Sequence, residues 1–273
     1  MKYCLPYIKN FKYIDELDEI IIPYSSEDVF FLNTLLSKDK ILSKRLIIDI
    51  QDLNDFKENY VLDFFLGIKK DYPDINFTLR FLTYSPEDQD IYEKLKQEKI
   101  PFFFEKYVKD WDMFDFFKKL GVSDMYIVEA LAFELNKIGA QADVSGISIR
   151  CFANVCQSSV RDDNSLKSFF IRPEDIPIYE QYVDVIEFYG DVNFQSTTYK
   201  IYAHDKHWFG PLKEFLIGFE LDLDSRFIPK VFAEARIACG KKCLKGHPCQ
   251  ICEKTNSLAS SLKALYVSDD LKE

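Results

Sequence analysis

Four cysteines lie within fourteen residues near the end of the 273-residue chain, in the spacing C-x3-C-x5-C-x2-C. They are Cys239, Cys243, Cys249 and Cys252. Thiolates at such short separations can bring their sulfurs onto one inorganic centre, and four of them complete either a zinc site or an iron–sulfur cluster. The spacing predicts a metal centre here but does not separate zinc from iron.

Two other interpretations of the cysteines stay open, namely free thiols and a pair of disulfides. Both are disfavoured for a cytoplasmic chain with this spacing. Lys241, Lys242 and Lys245 lie among the cysteines and would offset the negative charge of four thiolates. The same basic cluster could hold RNA against the negative charge of the whole chain.

A second group of candidate residues consists of charged side chains at or near the ends of predicted strands. They are Asp49, Asp52, Arg80, Glu105, Glu129, Arg150, Arg172 and Glu187. In barrels of parallel strands the active site lies at the carboxyl ends of the strands, and unpaired buried charges are costly. We therefore expect these side chains to converge around one pocket.

Five of these residues are our candidates for catalysis and substrate binding: Asp49, Glu105, Arg150, Arg172 and Glu187. Several arginines facing one cavity suit a carboxylate or other anionic substrate, because a guanidinium binds such a group through two hydrogen bonds. The alternative is a purely structural layer of ion pairs that closes the barrel.

The elements that must position these residues are short apolar runs separated by helical patterns. Eight runs fall at residues 19–23, 45–50, 75–82, 101–105, 124–128, 147–152, 168–172 and 184–188. Helices are indicated at 25–36, 53–70, 85–98, 110–120, 129–138 and 172–182. Alternation of this kind predicts an α/β fold, and the count of eight favours a (β/α)8 TIM-type barrel over an open doubly wound sheet. The short polar segment 154–167 predicts an irregularity in the barrel.

The predicted domains are the barrel at residues 1–190 and a C-terminal extension at 191–273 that carries the cysteines. With 47% hydrophobic and 29% charged residues, the composition excludes a disordered chain. No run of eighteen uncharged apolar residues exists, so we expect no membrane span and a cytoplasmic protein. A net charge of −10 disfavours nonspecific binding to nucleic acid.

Two segments, Phe-Ile-Arg-Pro-Glu-Asp-Ile at 170–176 and Tyr-Val-Asp-Val-Ile-Glu-Phe-Tyr-Gly at 182–190, precede the cysteine cluster. Together with the predicted barrel, they resemble the collagenase-like peptidase family, which also contains RNA- and ubiquinone-hydroxylation proteins. The resemblance implies that the four cysteines bind a [4Fe-4S] cluster. It also implies that Glu187, Arg150 and Arg172 lie near the substrate.

These observations lead to two functional hypotheses. The first is an iron–sulfur barrel enzyme that modifies RNA, or a small aromatic or carboxylate substrate, by hydroxylation-type chemistry. Peptidase activity follows only from the resemblance, since the sequence shows no nucleophile paired with a histidine. The alternative is a non-catalytic barrel whose zinc-stapled extension binds a partner protein.

Overall fold

The structure of the chain is a computed structural model. It describes residues 1–8, 11–24, 41, 43–50, 60–127, 131, 146–153, 170–189, 192–214, 216–217, 223–239, 254–255, 257–258 and 261.

The described part of the chain contains one sheet of nine strands. They are β1 (Lys2–Pro6), β2 (Glu19–Tyr24), β3 (Arg45–Ile50), β4 (Asn76–Phe81), β5 (Phe102–Phe104), β6 (Tyr107–Val108), β7 (Asp124–Ile127), β8 (Ser148–Phe152) and β9 (Val185–Glu187). Their order across the sheet is β5-β4-β3-β2-β1-β9-β8-β7-β6, and the strands run parallel. Most strand residues are buried, as expected for a parallel sheet that is covered on both faces.

Side-chain contacts across the sheet show that it is strongly curled. In the strand order β3 and β7 are five positions apart, which would be about 24 Å in a flat sheet. Yet Arg45 on β3 and Asp124 on β7 approach to 2.5 Å. Arg80 on β4 and Glu187 on β9, four positions apart, also approach to 2.5 Å. The sheet is therefore a half-barrel, with these side chains on its concave face.

The α/β class and the parallel, barrel-like sheet confirm the coarser part of the fold prediction, but the closed (β/α)8 ring is not observed. The strand order begins at β5 and ends at β6, two consecutive short strands separated by Glu105 and Lys106. One backbone hydrogen bond, from Ser123 N–H to the Phe102 carbonyl at 2.9 Å, links the residue before β7 to β5.

The predicted strand at 168–172 is wrong in its described part. Phe170, Ile171 and Arg172 are buried but belong to no strand, and a 3-10 turn begins at Pro173. A buried apolar run before a proline looks the same in sequence whether it enters a sheet or a turn. The sheet instead gains β1, which pairs with both β2 and β9 and is absent from the predicted runs.

The described helices are α1 (Tyr60–Asp71), α2 (Gln89–Gln97), α3 (Trp111–Leu120), α4 (Ile176–Tyr179), α5 (Val192–Lys200) and α6 (Phe232–Cys239). The predicted starts at Ser85 and Asp110 are confirmed as caps: Ser85 Oγ accepts a hydrogen bond from Glu87 N–H, and the Asp110 carboxylate accepts one from Met113 N–H. The helix predicted at 172–182 is shorter, because it consists of the 3-10 turn Pro173–Asp175 and α4. The helices predicted at 25–36 and 129–138 lie outside the described residues, except for residue 131.

The end of α3 provides a test of local backbone conformation. Gly121 has a φ of +86°, and a Cβ there would lie 3.3 Å from Lys96 Cε. We expect Gly121→Ala to lower the free energy of unfolding by about 1 kcal/mol, since the left-handed region is costly for alanine. Gly67, inside α1 with nothing within 4 Å of such a Cβ, is the matched control. Gly67→Ala should raise that free energy by up to about 1 kcal/mol in urea unfolding, and equal effects of both variants would contradict the assignment.

The chain forms two compact units, each built from several segments. The first comprises Met1–Val128, Asp143–Cys151 and Asp184–Glu187, and the second comprises Glu129–Ala142, Phe152–Val183 and Phe188–Glu273. Residues 191–273 thus fall in the second unit together with earlier segments, and the domain boundary at 190 stays a prediction. In the part of the chain that the structure describes, no helix is long and apolar enough to span a membrane.

Candidate active site

The concave face of the curled sheet carries a network of charged side chains, which we call the charged network. Its members are Glu19, Arg45, Asp49, Arg80, Glu105, Asp124, Arg150 and Glu187. Successive residues of a strand point to opposite faces, so residues two or four apart share a face. Arg45 and Asp49 on β3 therefore point into the same interior.

The network has an amino-end group at the first residues of three strands. Arg45 donates to Asp124 through Nη1 at 2.8 Å and Nη2 at 2.5 Å, and its Nη1 also donates to Glu19 at 3.2 Å. Thr78 Oγ1 accepts from Arg45, while Ser123 Oγ donates to Asp124 at 2.7 Å. Every charge in this group thus has an opposite partner and further hydrogen bonds, which is what makes its burial tolerable.

Arg150 connects this group to the rest of the network. Its Nη1 donates to Glu19 at 2.6 Å and to Asp124 at 3.1 Å, and its Nη2 donates to Glu187 at 3.0 Å. The guanidinium also lies 5.2 Å from the centre of the Phe103 ring. Since the side chain of Arg150 is 0% exposed, it is an internal counter-ion for three carboxylates.

The carboxyl-end group surrounds Arg80, which lies near the end of β4. Arg80 Nε donates to Asp49 at 2.9 Å, and Nη1 donates to Glu187 at 2.5 Å and to Tyr126 Oη at 3.1 Å. Glu105, directly after β5, has its Oε2 at 3.6 Å from Arg80 Nη2. The Glu105 backbone N–H donates to the Phe81 carbonyl at 2.8 Å, which holds this residue beside β4.

The charged network is buried at its centre and partly exposed at both ends; at the amino end the side chain of Arg45 is 15% exposed. The side chains of Asp124 and Arg150 are 0% exposed, whereas Arg80 is 7%, Asp49 is 10% and Glu105 is 25% exposed. Solvent therefore reaches the network at Asp49, Arg80 and Glu105, the end at which parallel-barrel enzymes carry out their chemistry.

The two ends of the network have opposite effects on carboxyl acidity. Burial raises the pKa of Asp124, but its hydrogen bonds from Arg45 and the charge of Arg150 outweigh this effect and hold the pKa below its ordinary value of 3.8. At Glu105, burial raises the pKa above its ordinary value of 4.5; the charge of Arg80 opposes the rise, and Glu187 and Asp49 add to it. Glu105 is thus the carboxyl group that holds a proton more readily than an ordinary glutamate.

Four of the five predicted catalytic residues, Asp49, Glu105, Arg150 and Glu187, lie in this network, while their roles stay predictions. Arg172 has a different set of partners, all in the second unit. Its Nε and Nη2 each donate to Asp175 at 2.7 Å, and Nη1 donates to the Ile228 carbonyl at 3.3 Å. Arg172 is buried, so this pairing ties the start of the 3-10 turn to a later segment of the same unit.

Sequence reasoning did not select Glu19, Arg45, Asp124 or Tyr126. The first three are single charged residues at the amino-terminal start of apolar runs, where a charge ordinarily marks the solvent-exposed beginning of a strand. The alternation of side chains along a strand could have identified them, because residues two apart lie on the same face. Arg45 shares its face with the buried Ile47, and Asp124 shares its face with the buried Tyr126. Arg80 is one of the predicted strand-end charges but is not among the five candidates for catalysis and substrate binding.

The predicted metal ligands are almost entirely outside the described residues. Cys239 is the last residue of α6, and Cys243, Cys249 and Cys252 lie outside the part that the structure describes. Within the described ranges, no group of three or more histidine, cysteine, aspartate or glutamate residues is arranged to hold a metal ion. Cys4 and Cys151 are buried and lie far from this segment in the sequence.

Comparisons of the chain with protein-family models, with curated proteins and with solved structures found no match. The fold and the network by themselves define an α/β protein with a curled parallel sheet and a charged interior that opens at the carboxyl ends of the strands.

Proposed function

We propose that this protein is a metal-containing barrel enzyme, with an iron–sulfur centre and an active site at the carboxyl-end group of the charged network. The observation that carries the proposal is the 25% exposure of the Glu105 side chain, the highest in the charged network, beside the partly exposed Arg80 and Asp49. A purely structural ion-pair layer has no need to open toward solvent at the end of the strands where catalysis occurs.

Glu105 is the residue that moves a proton in this proposal. Its raised pKa brings the carboxyl group closer to neutral pH, where a general acid or base works most effectively. Asp49 lies on the other side of Arg80 and accepts a hydrogen bond from its Nε. Two carboxyl groups whose surroundings differ in this way can take different roles in one reaction.

The metal centre is assigned to Cys239, Cys243, Cys249 and Cys252. Four thiolates are the donor set of a [4Fe-4S] cluster and also of a structural zinc site, so the chemistry of these residues fits both groups. A bound cluster would supply one-electron redox chemistry. The hydroxylation-type activity of the family that this chain resembles favours such a cluster over zinc. The substrates in the proposal are RNA or a small carboxylate or aromatic molecule, in the cytoplasm.

Metal and sulfide analysis of anaerobically purified protein tests the centre directly. We expect iron and inorganic sulfide in equal amounts, together with broad visible absorbance. Cys249→Ser should lose both, because a cluster with three thiolate ligands is poorly held. Cys151→Ala, at a buried cysteine in the first unit, is the matched control and should keep them. A colourless protein with one zinc would exclude the redox function.

The second candidate is a non-catalytic protein whose zinc-stapled C-terminal segment binds a partner protein. The pairing of the buried Arg150 with three carboxylates, Glu19, Asp124 and Glu187, favours it, since an interior of that kind serves stability without any chemistry. This candidate requires zinc in place of iron, and it requires Glu105→Gln to leave the biological activity intact. The same metal analysis therefore separates the two functions.

A further inference from the structure

Arg80 is held firmly on two sides and leaves one nitrogen for another partner. Its Nε and Nη1 donate to Asp49, Glu187 and Tyr126. Within the described ranges, Nη2 makes no hydrogen bond, and the Glu105 oxygen beside it lies at 3.6 Å, beyond hydrogen-bond distance. A guanidinium whose plane is fixed by its other nitrogens presents Nη2 in a defined direction, so an oxygen acceptor that reaches it needs little rearrangement of the protein.

The charge of the network limits what can bind there. Its three arginines face five carboxylates, an excess of negative charge when every carboxyl group is ionised. A further anion is repelled unless one carboxylate is first neutralised. The lowered pKa of Asp124 means that this carboxylate resists protonation. Glu105 has the larger exposure and a raised pKa, so it accepts a proton more readily than Asp124 does.

We propose that Arg80 Nη2 anchors the carboxylate of a small monoanionic substrate and that Glu105 takes up one proton from solvent as this carboxylate binds. This inference rests on the proposed function and specifies its substrate class. The charged groups that face Glu105 are Arg80 on β4, Glu187 on β9 and Asp49 on β3. When Glu105 is neutral, the incoming carboxylate takes the place of the Glu105 charge beside Arg80 Nη2, so the total charge of the network does not become more negative.

The same geometry disfavours three other kinds of ligand: a cation, a phosphate dianion and RNA. A cation placed between Asp49 and Glu105 would meet the guanidinium of Arg80, which lies between those two carboxylates. A phosphate dianion adds twice the charge to a network that is already negative. The phosphate backbone of RNA cannot easily reach an arginine whose side chain is only 7% exposed.

The test is a calorimetric titration of the full-length protein with sodium formate and with sodium benzoate, between about pH 5.5 and pH 7.5 so that both ligands stay ionised. Repeating each titration in two buffers of different ionisation enthalpy measures the protons taken up. We expect one proton per carboxylate bound at the upper end of the range and a Kd that rises about tenfold per pH unit. Inorganic phosphate, the third probe, should bind more weakly than formate at the upper end of the range, where the dianion is its main form.

Glu105→Gln is the decisive variant, because glutamine is a neutral isostere of the protonated side chain. It should bind formate without proton uptake, with a Kd that does not change with pH and is lower than that of the wild type at the upper pH. Glu93→Gln, at an exposed glutamate on α2, is the matched control and should keep the wild-type pH dependence. Binding without proton uptake in the wild type, tighter binding of phosphate, or no binding of either carboxylate would overturn the inference. Iron and sulfide analysis of the same preparation reports separately on the proposed function.

Discussion

Arg150→Met should lower the free energy of unfolding by about 3–5 kcal/mol, the largest effect expected of any single substitution described for this protein. Methionine fills a similar volume but leaves Glu19, Asp124 and Glu187 without their shared counter-ion in a site with no exposure. Such carboxylates must either remain ionised in an apolar interior or take up protons. Urea unfolding followed by far-UV circular dichroism measures the change.

Arg226→Met provides the matched control for this experiment. Arg226 also pairs with an aspartate, Asp224, but its side chain is 43% exposed. An exposed ion pair contributes at most about 1 kcal/mol, so the control should unfold at nearly the wild-type urea concentration. Adding Glu187→Gln to Arg150→Met should recover part of the loss, because it reduces the excess of carboxylates over arginines in the interior. If Arg150→Met is as stable as Arg226→Met, the network does not hold the interior together.

Asp124→Asn should lower the free energy of unfolding by about 3 kcal/mol near neutral pH, and this loss should disappear in acid. The neutral amide leaves Arg45 and Arg150 short of one negative partner. In the folded wild type the pKa of Asp124 is below 3.8, so its contribution to stability is fully present above pH 3.8 and is lost as the pH falls through the lower folded value. The difference between wild type and variant should therefore shrink below that pH.

Urea unfolding at a series of pH values measures this difference, with Asp112→Asn, an exposed aspartate on α3, as the control. The control should show no pH-dependent difference from the wild type. The contribution of Glu105 to the free energy of unfolding should have the opposite pH dependence. Burial raises the pKa of Glu105 above 4.5, so this contribution is present at low pH and is lost as the pH rises; the difference between wild type and Glu105→Gln should follow it. A difference for Asp124→Asn that stays constant through the acid range would contradict the ion-paired assignment.

The charged network has one part that supports the fold and another part that is available for chemistry. Arg150 and Asp124 are ion-paired and their side chains have no exposure, so we expect their substitution to act through stability. Asp49, Arg80 and Glu105 are partly exposed, and Arg80 retains one nitrogen without a hydrogen bond in the described part of the chain. Substitutions of Glu105 should consequently change binding and proton uptake.

Much of the sheet could be predicted because its strands are buried on both faces. Apolar runs predicted β2, β3, β4, β5, β7, β8 and β9 to within two residues at each end. The run at 168–172 was misassigned because burial alone does not distinguish a strand from a packed turn. β1 was missed because its residues Lys2–Pro6 form no continuous apolar run and end in a proline, and its place depends on pairing with β9, whose register partners lie more than 180 residues away.

The candidate site could be predicted only in part, for a related reason. Charges at the carboxyl ends of strands identified Asp49, Glu105, Arg150 and Glu187, which do lie in one network. Arg172 carries the same signal, a charge after an apolar run, but its partner Asp175 is three residues away and is set by the local turn. A sequence shows where a charge ends a run and does not show which interior that run faces.

The amino-acid sequence by itself determined the local features of this protein: the α/β alternation, the caps at Ser85 and Asp110, and the left-handed end of α3 at Gly121. Each depends on residues within a few positions of one another, so local propensity and periodicity are enough. The tertiary structure decided the order of the strands, the curl of the sheet and the meeting of Arg45 with Asp124 and of Arg80 with Glu187. Those contacts join residues 79 and 107 positions apart, and only the curvature of the whole sheet brings their charges within reach.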